Sequence, residues 1–223
     1  MIEHLISPPA STAHTFSDHE SAVRALHPQE AAAVASTLPK RRREYATVRM
    51  CARRAMGKLG VPMAPLLSDP RGAPQWPSGL VGSMTHCSGY RAAVVGRTSD
   101  YRGLGIDAEP NVPMPKGLLE FISLPQERAR IQDLTNAARE VCWDRLLFSA
   151  KEAVFKVWYP ITKRELGFDE VDIWIHADAG AFSAHLAVPD VGVDSDHLTK
   201  LSGRWLCGND LVVTAIALGC DRS

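Results

Sequence analysis

Two carboxylates two residues apart open the chemical reading of this 223-residue chain. In Gly105-Ile106-Asp107-Ala108-Glu109-Pro110, apolar Leu104, Ile106 and Ala108 alternate with Gly105, Asp107 and Glu109. A period of two predicts a strand on which Asp107 and Glu109 share one face, with Cα atoms about 6.5–7 Å apart. Two such charges repel unless a cation or a proton joins them, and an all-oxygen pair suits a hard cation such as Mg²⁺. The same pattern also describes a solvated edge strand with two exposed acids. A second set, Phe148-Ser149-Ala150-Lys151-Glu152-Ala153-Val154-Phe155-Lys156, puts Glu152 and Lys156 one helical turn apart, with Ser149 a turn the other way. An ordinary surface ion pair has this spacing too, but the flanking apolar positions leave little surface facing solvent. A third set could bind phosphate: a basic helix face, Arg71 before Gly72, and Thr85-His86 at the end of a strand, since arginine grips phosphate oxygens two at a time. A cation site, acids and bases, and an arginine-rich wall make up the inventory of phosphoryl-group transfer.

These groups need elements to hold them. Lys40, Arg41, Arg42, Arg43, Arg49, Arg53, Arg54 and Lys58 face a single acid, Glu44, along a stretch whose apolar residues Tyr45, Val48, Ala52, Ala55, Met56 and Leu59 recur at three- and four-residue steps. Pro39 suits the first turn and Gly60 with Pro62 the stop, so the spacing predicts an amphipathic helix with a cationic outer face on which Arg42, Arg49 and Arg53 share a side. The alternative use of such a stripe is a solvated face, or a surface for nucleic acid or an acidic protein. Residues 61–79 read as a long ordered loop, and strands are expected over 80–84, 90–96 and 104–109. Prolines at 110, 113 and 115 mark a linker. A second long helix is expected over 136–158, closed by Pro160, then strands over 171–176, 182–188, 203–206 and 211–218. Each half is thus a long helix followed by strands. The expected fold is α+β, a pseudo-twofold tandem of two similar subdomains, 1–110 and 111–223, although the two halves show no visible sequence repeat.

Composition narrows the class. With 45% hydrophobic residues and 25 basic against 25 acidic ones, the chain is no disordered protein, and 16 Gly and 15 Pro without a period exclude a collagen-like one. Glu3, His4, Pro8 and Pro9 interrupt any leader-like apolar run, and the stretch around 211–218 falls far short of the roughly 20 residues that span a bilayer. The expectation is a soluble, cytoplasmic protein that needs no membrane. Five cysteines without a C-x-x-C pair read as free thiols in a reducing compartment. Gly103-Leu104-Gly105-Ile106-Asp107-Ala108 fits G-x-G-x-x-A, but its glycines lie within the strand and prolines forbid the following helix that a dinucleotide turn needs. His86 and Cys87, adjacent on a strand, point to opposite faces and cannot pair.

The spacing of the first two sets is specific. Gly105-Ile106-Asp107, 40 intervening residues, and Phe148-Ser149-Ala150-Lys151-Glu152-Ala153-Val154-Phe155-Lys156 resemble the paired signature of 4′-phosphopantetheinyl transferases, in their larger surfactin-synthetase-activating form. Gly82-Ser83-Met84-Thr85-His86-Cys87, Trp76-Pro77 and the Arg41–Arg49 region are similar to the enterobactin-pathway and actinobacterial members. The likeness spans roughly 35–218. It implies a monomer of two α+β halves with coenzyme A in the cleft between them, and transfer of 4′-phosphopantetheine to a serine of an apo acyl or peptidyl carrier protein, releasing adenosine 3′,5′-bisphosphate. The carriers would belong to fatty acid, polyketide or nonribosomal peptide synthases, with no nucleic acid involved.

By the same resemblance Asp107, Glu109 and Glu152 would hold Mg²⁺ (or Mn²⁺), with Glu152 also the general base. Lys156 would bind the phosphates and Lys151 flank the site. His86 with Thr85 would meet the ribose 3′-phosphate, Arg41 and Arg49 the nucleotide end, and Arg71, Gly72, Ala73 and Pro74 the adenine side. Arg71 stands where many relatives carry lysine, and Ser68 where near ones carry a basic residue. Trp158, Tyr159, Lys163 and Arg164 could receive the carrier protein. The competing readings are a non-catalytic coenzyme A-binding protein on the same fold, a basic module for nucleic acid or an acidic partner, and a Mg²⁺-dependent phosphohydrolase.

Overall fold

A computed structural model describes residues 1–188 and 196–220. In chain order the elements are β1 (Ser11–Thr15), α1 (Glu20–Arg24), α2 (Pro28–Ala33), α3 (Pro39–Lys58), β2 (Leu80–Cys87), β3 (Tyr90–Arg97), β4 (Tyr101–Pro110), α4 (Leu118–Ile122), α5 (Pro125–Ala137), α6 (Trp143–Thr162), β5 (Val171–His176), β6 (Ala181–Leu186), α7 (Asp196–Thr199), β7 (Lys200–Gly208) and β8 (Leu211–Gly219). The chain is α+β with two antiparallel sheets, one ordered β1-β3-β2 and the other β4-β8-β7-β6-β5. No helix among the described residues is long and apolar enough to cross a membrane.

Each 20-residue helix covers one sheet. The inner stripe of α3, Cys51, Ala52, Ala55 and Met56, packs on Ala93 and Val95 of β3. The α6 stripe, Leu146, Leu147, Ala150, Ala153, Val154 and Val157, is buried in a larger core with Ile173, Phe182, Val212 and Ile216.

Two glycines set how close α6 comes. A Cβ at Gly105 would overlap the carbonyl oxygen of Ala153, and one at Gly103 would sit 2.9 Å from Val157. The G-x-G run is therefore a seat for a helix, and it brings Glu152 and Lys156 down onto β4.

The sheets meet where β2 runs beside β4. One edge of β4 ladders with β8. On the other side the Ile106 N–H donates to Ser83 Oγ at 3.1 Å and the Ala108 N–H to Thr85 Oγ1 at 3.2 Å. Alternate hydroxyls of β2 thus replace a backbone ladder and satisfy the buried amides of β4.

The structure corrects the second long helix. The expected segment 136–158 is two helices: α5 ends at Ala137 and α6 begins at Trp143. Ala138 turns extended, and Asn111 holds the break, accepting from Cys142 N–H at 2.8 Å and donating to the Glu140 carbonyl at 2.8 Å. Nor does Pro160 stop α6. It lies within the last turn, and the helix closes at Lys163, whose φ is 56°.

The candidate active site

Asp107, Glu109, Glu152 and Lys156 come together between β4 and α6. Asp107 is 5% exposed. Its Oδ1 accepts from Lys156 Nζ at 2.8 Å and from Thr85 Oγ1 at 3.1 Å, while its buried Oδ2 has no hydrogen-bond partner. Lys156 also donates to the Ile106 carbonyl at 3.1 Å. Glu109 pairs with Arg145 at 3.3 Å. Burial, reinforced by Asp107, pushes the Glu109 carboxyl up to about 7 against the pull of Arg145 and Lys156. Burial also raises Glu152, which Lys156 lowers and Asp107 raises again. Three acids crowd each other around a desolvated, unpaired carboxylate oxygen.

That arrangement fits a divalent cation. Oxygen-only donors and a bare buried oxygen match Mg²⁺, which keeps several waters and takes one or two carboxylates plus substrate phosphate. Among the described residues no three of His, Cys, Asp or Glu form a ready-made metal cage, so Asp107, Glu109 and Glu152 are not a preformed three-carboxylate set.

Lys156 borders a cavity of about 290 Å³ between α3, the 68–74 loop, β2 and α6. Arg41, Arg49, His86 and Tyr159 line it with Gly72, Ala73 and Pro74. The Arg41 guanidinium contacts His86 Nε2 and lies 3.8 Å from Glu44. Burial first, then Arg41, lowers the His86 pKa. The loop turns at Asp69, whose Oδ1 accepts from the N–H of Arg71 at 2.9 Å and of Ala73 at 3.0 Å, with Gly72 at φ +88°. Arg71, expected beside Gly72 on the adenine side, is not part of the cavity wall; its side chain is ion-paired with Glu165 from beyond α6.

Several expected residues sit elsewhere. Lys151 does not flank the site. One residue along a helix is about 100° of rotation, and Lys151 is 2% exposed on the other side of α6 from Asp107, donating to Glu127 Oε2 at 2.7 Å and to the carbonyls of Phe168 and Val171 at 2.7 and 2.9 Å. Thr85 is buried and absent from the cavity wall, to which β2 contributes Gly82, Ser83, Met84 and His86. Arg49 lines the cavity, but its donors are spent on Leu66 O at 2.7 Å, Tyr45 O at 3.4 Å and Ser68 Oγ at 3.2 Å, with its guanidinium stacked 3.2 Å over Tyr45. Burial pushes its pKa down to about 10, which leaves it charged at pH 7. Trp158 is core, 1% exposed, and not a docking surface.

Part of the basic stripe is tied down, while Lys40, Arg41 and Arg54 remain exposed. Arg53 binds Glu30, Arg43 pairs with Glu20 at 3.5 Å, and Arg42 and Lys58 cap the carbonyls of Ala35 and Thr12 at 2.7 Å each.

The sequence reading missed Arg145, Glu30 and Glu127. The last two had a signal: Pro-Gln-Glu occurs at 28–30 and again at 125–127.

Comparison with known proteins follows the same residues. Residues 29–96 match the model of the 4′-phosphopantetheinyl transferase N-terminal domain, and 103–213 that of the 4′-phosphopantetheinyl transferase superfamily. The chain is 53% identical over 219 residues to 4′-phosphopantetheinyl transferase Svp of Streptomyces mobaraensis, covering 98% of this chain and 89% of that one. It is 48% identical over 195 residues to 4′-phosphopantetheinyl transferase PptT of Mycobacterium tuberculosis, covering 86% and 85%. Enterobactin synthase component D of Escherichia coli is 30% identical over 161 residues, covering 68% and 74%.

Proposed function

This chain belongs to the 4′-phosphopantetheinyl transferase superfamily, and from that premise we propose that it moves the 4′-phosphopantetheine arm of coenzyme A to a serine hydroxyl of an apo carrier protein, leaving adenosine 3′,5′-bisphosphate. The observation that carries this reading is the unpaired buried Oδ2 of Asp107, set among Glu109, Glu152 and Lys156 beside a cationic cavity.

Held by Asp107, Glu109 and Glu152, Mg²⁺ (or Mn²⁺) would neutralise the diphosphate and make its β-phosphorus more electrophilic. The chain's own residues do the rest. Arg41 and His86, in contact with each other on the cavity wall, are suited to the 3′-phosphate and ribose. The loop of Gly72 to Pro74 gives a wall for adenine, and Arg49, bonded to the Leu66 carbonyl and Ser68 Oγ, braces the chain that leads into it. Lys156, 2.8 Å from Asp107, supports phosphate charge. Glu152, made more basic by burial, takes the serine proton. The serine oxygen then bonds to the β-phosphorus as the bond to the bridging oxygen breaks, and the nucleotide departs with that electron pair. The acceptors under this reading are carrier proteins of fatty acid, polyketide or nonribosomal peptide synthases, met by a monomer.

Intact mass spectrometry of an apo carrier protein, incubated with enzyme, coenzyme A and Mg²⁺, tests the reading. One phosphopantetheine arm should be gained, the gain should vanish with chelator, and Glu152→Gln should slow it by about 10²–10⁴-fold. Coenzyme A binding with no gain on any of several carriers would overturn it in favour of a binding protein.

A further inference from the structure

The hydroxyl of Thr85 is committed on both sides. Its Oγ1 accepts the Ala108 N–H at 3.2 Å, so its own proton must point elsewhere, and Asp107 Oδ1 lies 3.1 Å away. Thr85 is 2% exposed and lies outside the cavity wall that His86 joins. We infer that Thr85 is a positioning residue for the metal ligand Asp107, and not a ligand of coenzyme A.

Asp107 Oδ1 receives two donors from two directions, Thr85 from β2 and Lys156 from α6. Two hydrogen bonds to one oxygen of a planar carboxylate fix its rotation and leave Oδ2 as the open oxygen. The backbone N–H of Ala108 sets the direction of the Thr85 proton, so a residue beside the acid on its own strand orients the donor that orients the acid. An amide beyond the reach of any ligand thus decides which Asp107 oxygen is free. Such outer partners of a metal-ligating carboxylate typically change metal affinity by about 10–100-fold. The neighbouring Ser83 makes the same kind of bond to Ile106 N–H, but no acid faces it. Ser83 therefore separates the two roles available to a β2 hydroxyl: joining the sheets, and aiming Asp107.

The inference rests on the proposed metal site. Mn²⁺ titration of the free enzyme, followed by electron paramagnetic resonance, should show Thr85→Val about 10-fold or more weaker than wild type and Thr85→Ser within about twofold of it. Coenzyme A binding by calorimetry in chelator should change less than twofold in both. Ser83→Ala should lower the melting temperature and leave Mn²⁺ affinity alone. If Thr85→Val weakens metal-free coenzyme A binding and spares Mn²⁺, the residue is a phosphate ligand and the inference falls. If Asp107→Ala loses Mn²⁺ but Thr85→Val does not, the inference falls while the metal reading stands. If Asp107→Ala also keeps its Mn²⁺, the metal reading itself falls. Should Thr85→Val not fold, Thr85→Ala against Thr85→Ser in the same titration decides between these outcomes.

Discussion

The two halves of the molecule tie down their long helices with the same device and put it to different use. In the first, Pro28-Gln29-Glu30 starts α2, and Glu30 accepts from the His27 N–H at 2.9 Å, from the Leu66 N–H at 2.7 Å and from Arg53 of α3. In the second, Pro125-Gln126-Glu127 starts α5, and Glu127 accepts from the Leu124 N–H at 2.7 Å, from the Ile173 N–H at 2.8 Å and from Lys151 of α6 at 2.7 Å. Each glutamate caps its own helix, pins a distant amide and neutralises a cation on the long helix; both are fully buried. The match is a local likeness between the two halves. The difference lies in what each anchor steadies. Leu66 leads directly into the loop that walls the cavity, and Arg49, 3.9 Å from Glu30, reaches that loop itself. Ile173 lies on β5, the outermost strand of the second sheet and far from the acids. In the first half anchor and ligand wall share arginines. In the second half adjacent residues divide the work, Lys151 anchoring and Glu152 facing the site.

The sharpest way to break this comparison is to remove one cation from each anchor. Lys151→Met leaves Glu127 buried with amide partners only. The expected loss is about 3–5 kcal/mol, measured by urea unfolding, and a double change with Glu127→Gln should recover part of it. Arg53→Met should cost less, about 1–3 kcal/mol, because Arg49 still stands near Glu30. It should also raise the KM for coenzyme A, since the loop beyond Leu66 loosens, whereas Lys151→Met should leave KM nearly unchanged in the fraction that stays folded. Equal costs and equal KM effects would mean that the anchors are not specialised.

How much of this was written in the sequence differs between the halves in the same way. The strands around Asp107 were legible because one apolar face gives a strict period of two, and α3 was legible because its apolar stripe and flanking Pro39 and Gly60 agree. That Glu152 and Lys156 lie one turn apart on a helix followed from spacing, while their expected roles came from the resemblance. The break between α5 and α6 was not legible, because the apolar spacing runs through it and its cause is Asn111, a residue some thirty positions upstream. The fate of the cationic stripe was hidden for the same reason: its partner Glu30 comes from another helix. Lys151 and Glu152, adjacent on a helix, point different ways, and the resemblance had placed both at the site. The seat at Gly105 looked like a nucleotide motif, and only the path of α6 across it reveals its purpose.

The smallest expected effect asks whether the halves open separately. Cys51 of α3 lies fully buried under the Arg91 carbonyl, at 3.8 Å, and burial pushes its thiol up to about 11. A raised thiol pKa favours the fold below the ordinary value near 8.5, and that contribution is lost as pH climbs from there through about 11. At pH 9 Cys51 in the folded state is therefore almost wholly protonated and inert, and alkylation must pass through local opening, where the ordinary pKa returns. Its rate should level off above about pH 9 rather than keep rising tenfold per unit toward 11. Half-exposed Cys142, at the start of α6, should react well before it. Arg53→Met should speed Cys51 alkylation several-fold, by loosening the first half alone, and Lys151→Met should speed it much less. If Lys151→Met exposes Cys51 as readily as Arg53→Met does, the chain opens as one unit. The two glutamate anchors would then be two supports of a single cooperative structure, with only the cavity loop distinguishing them.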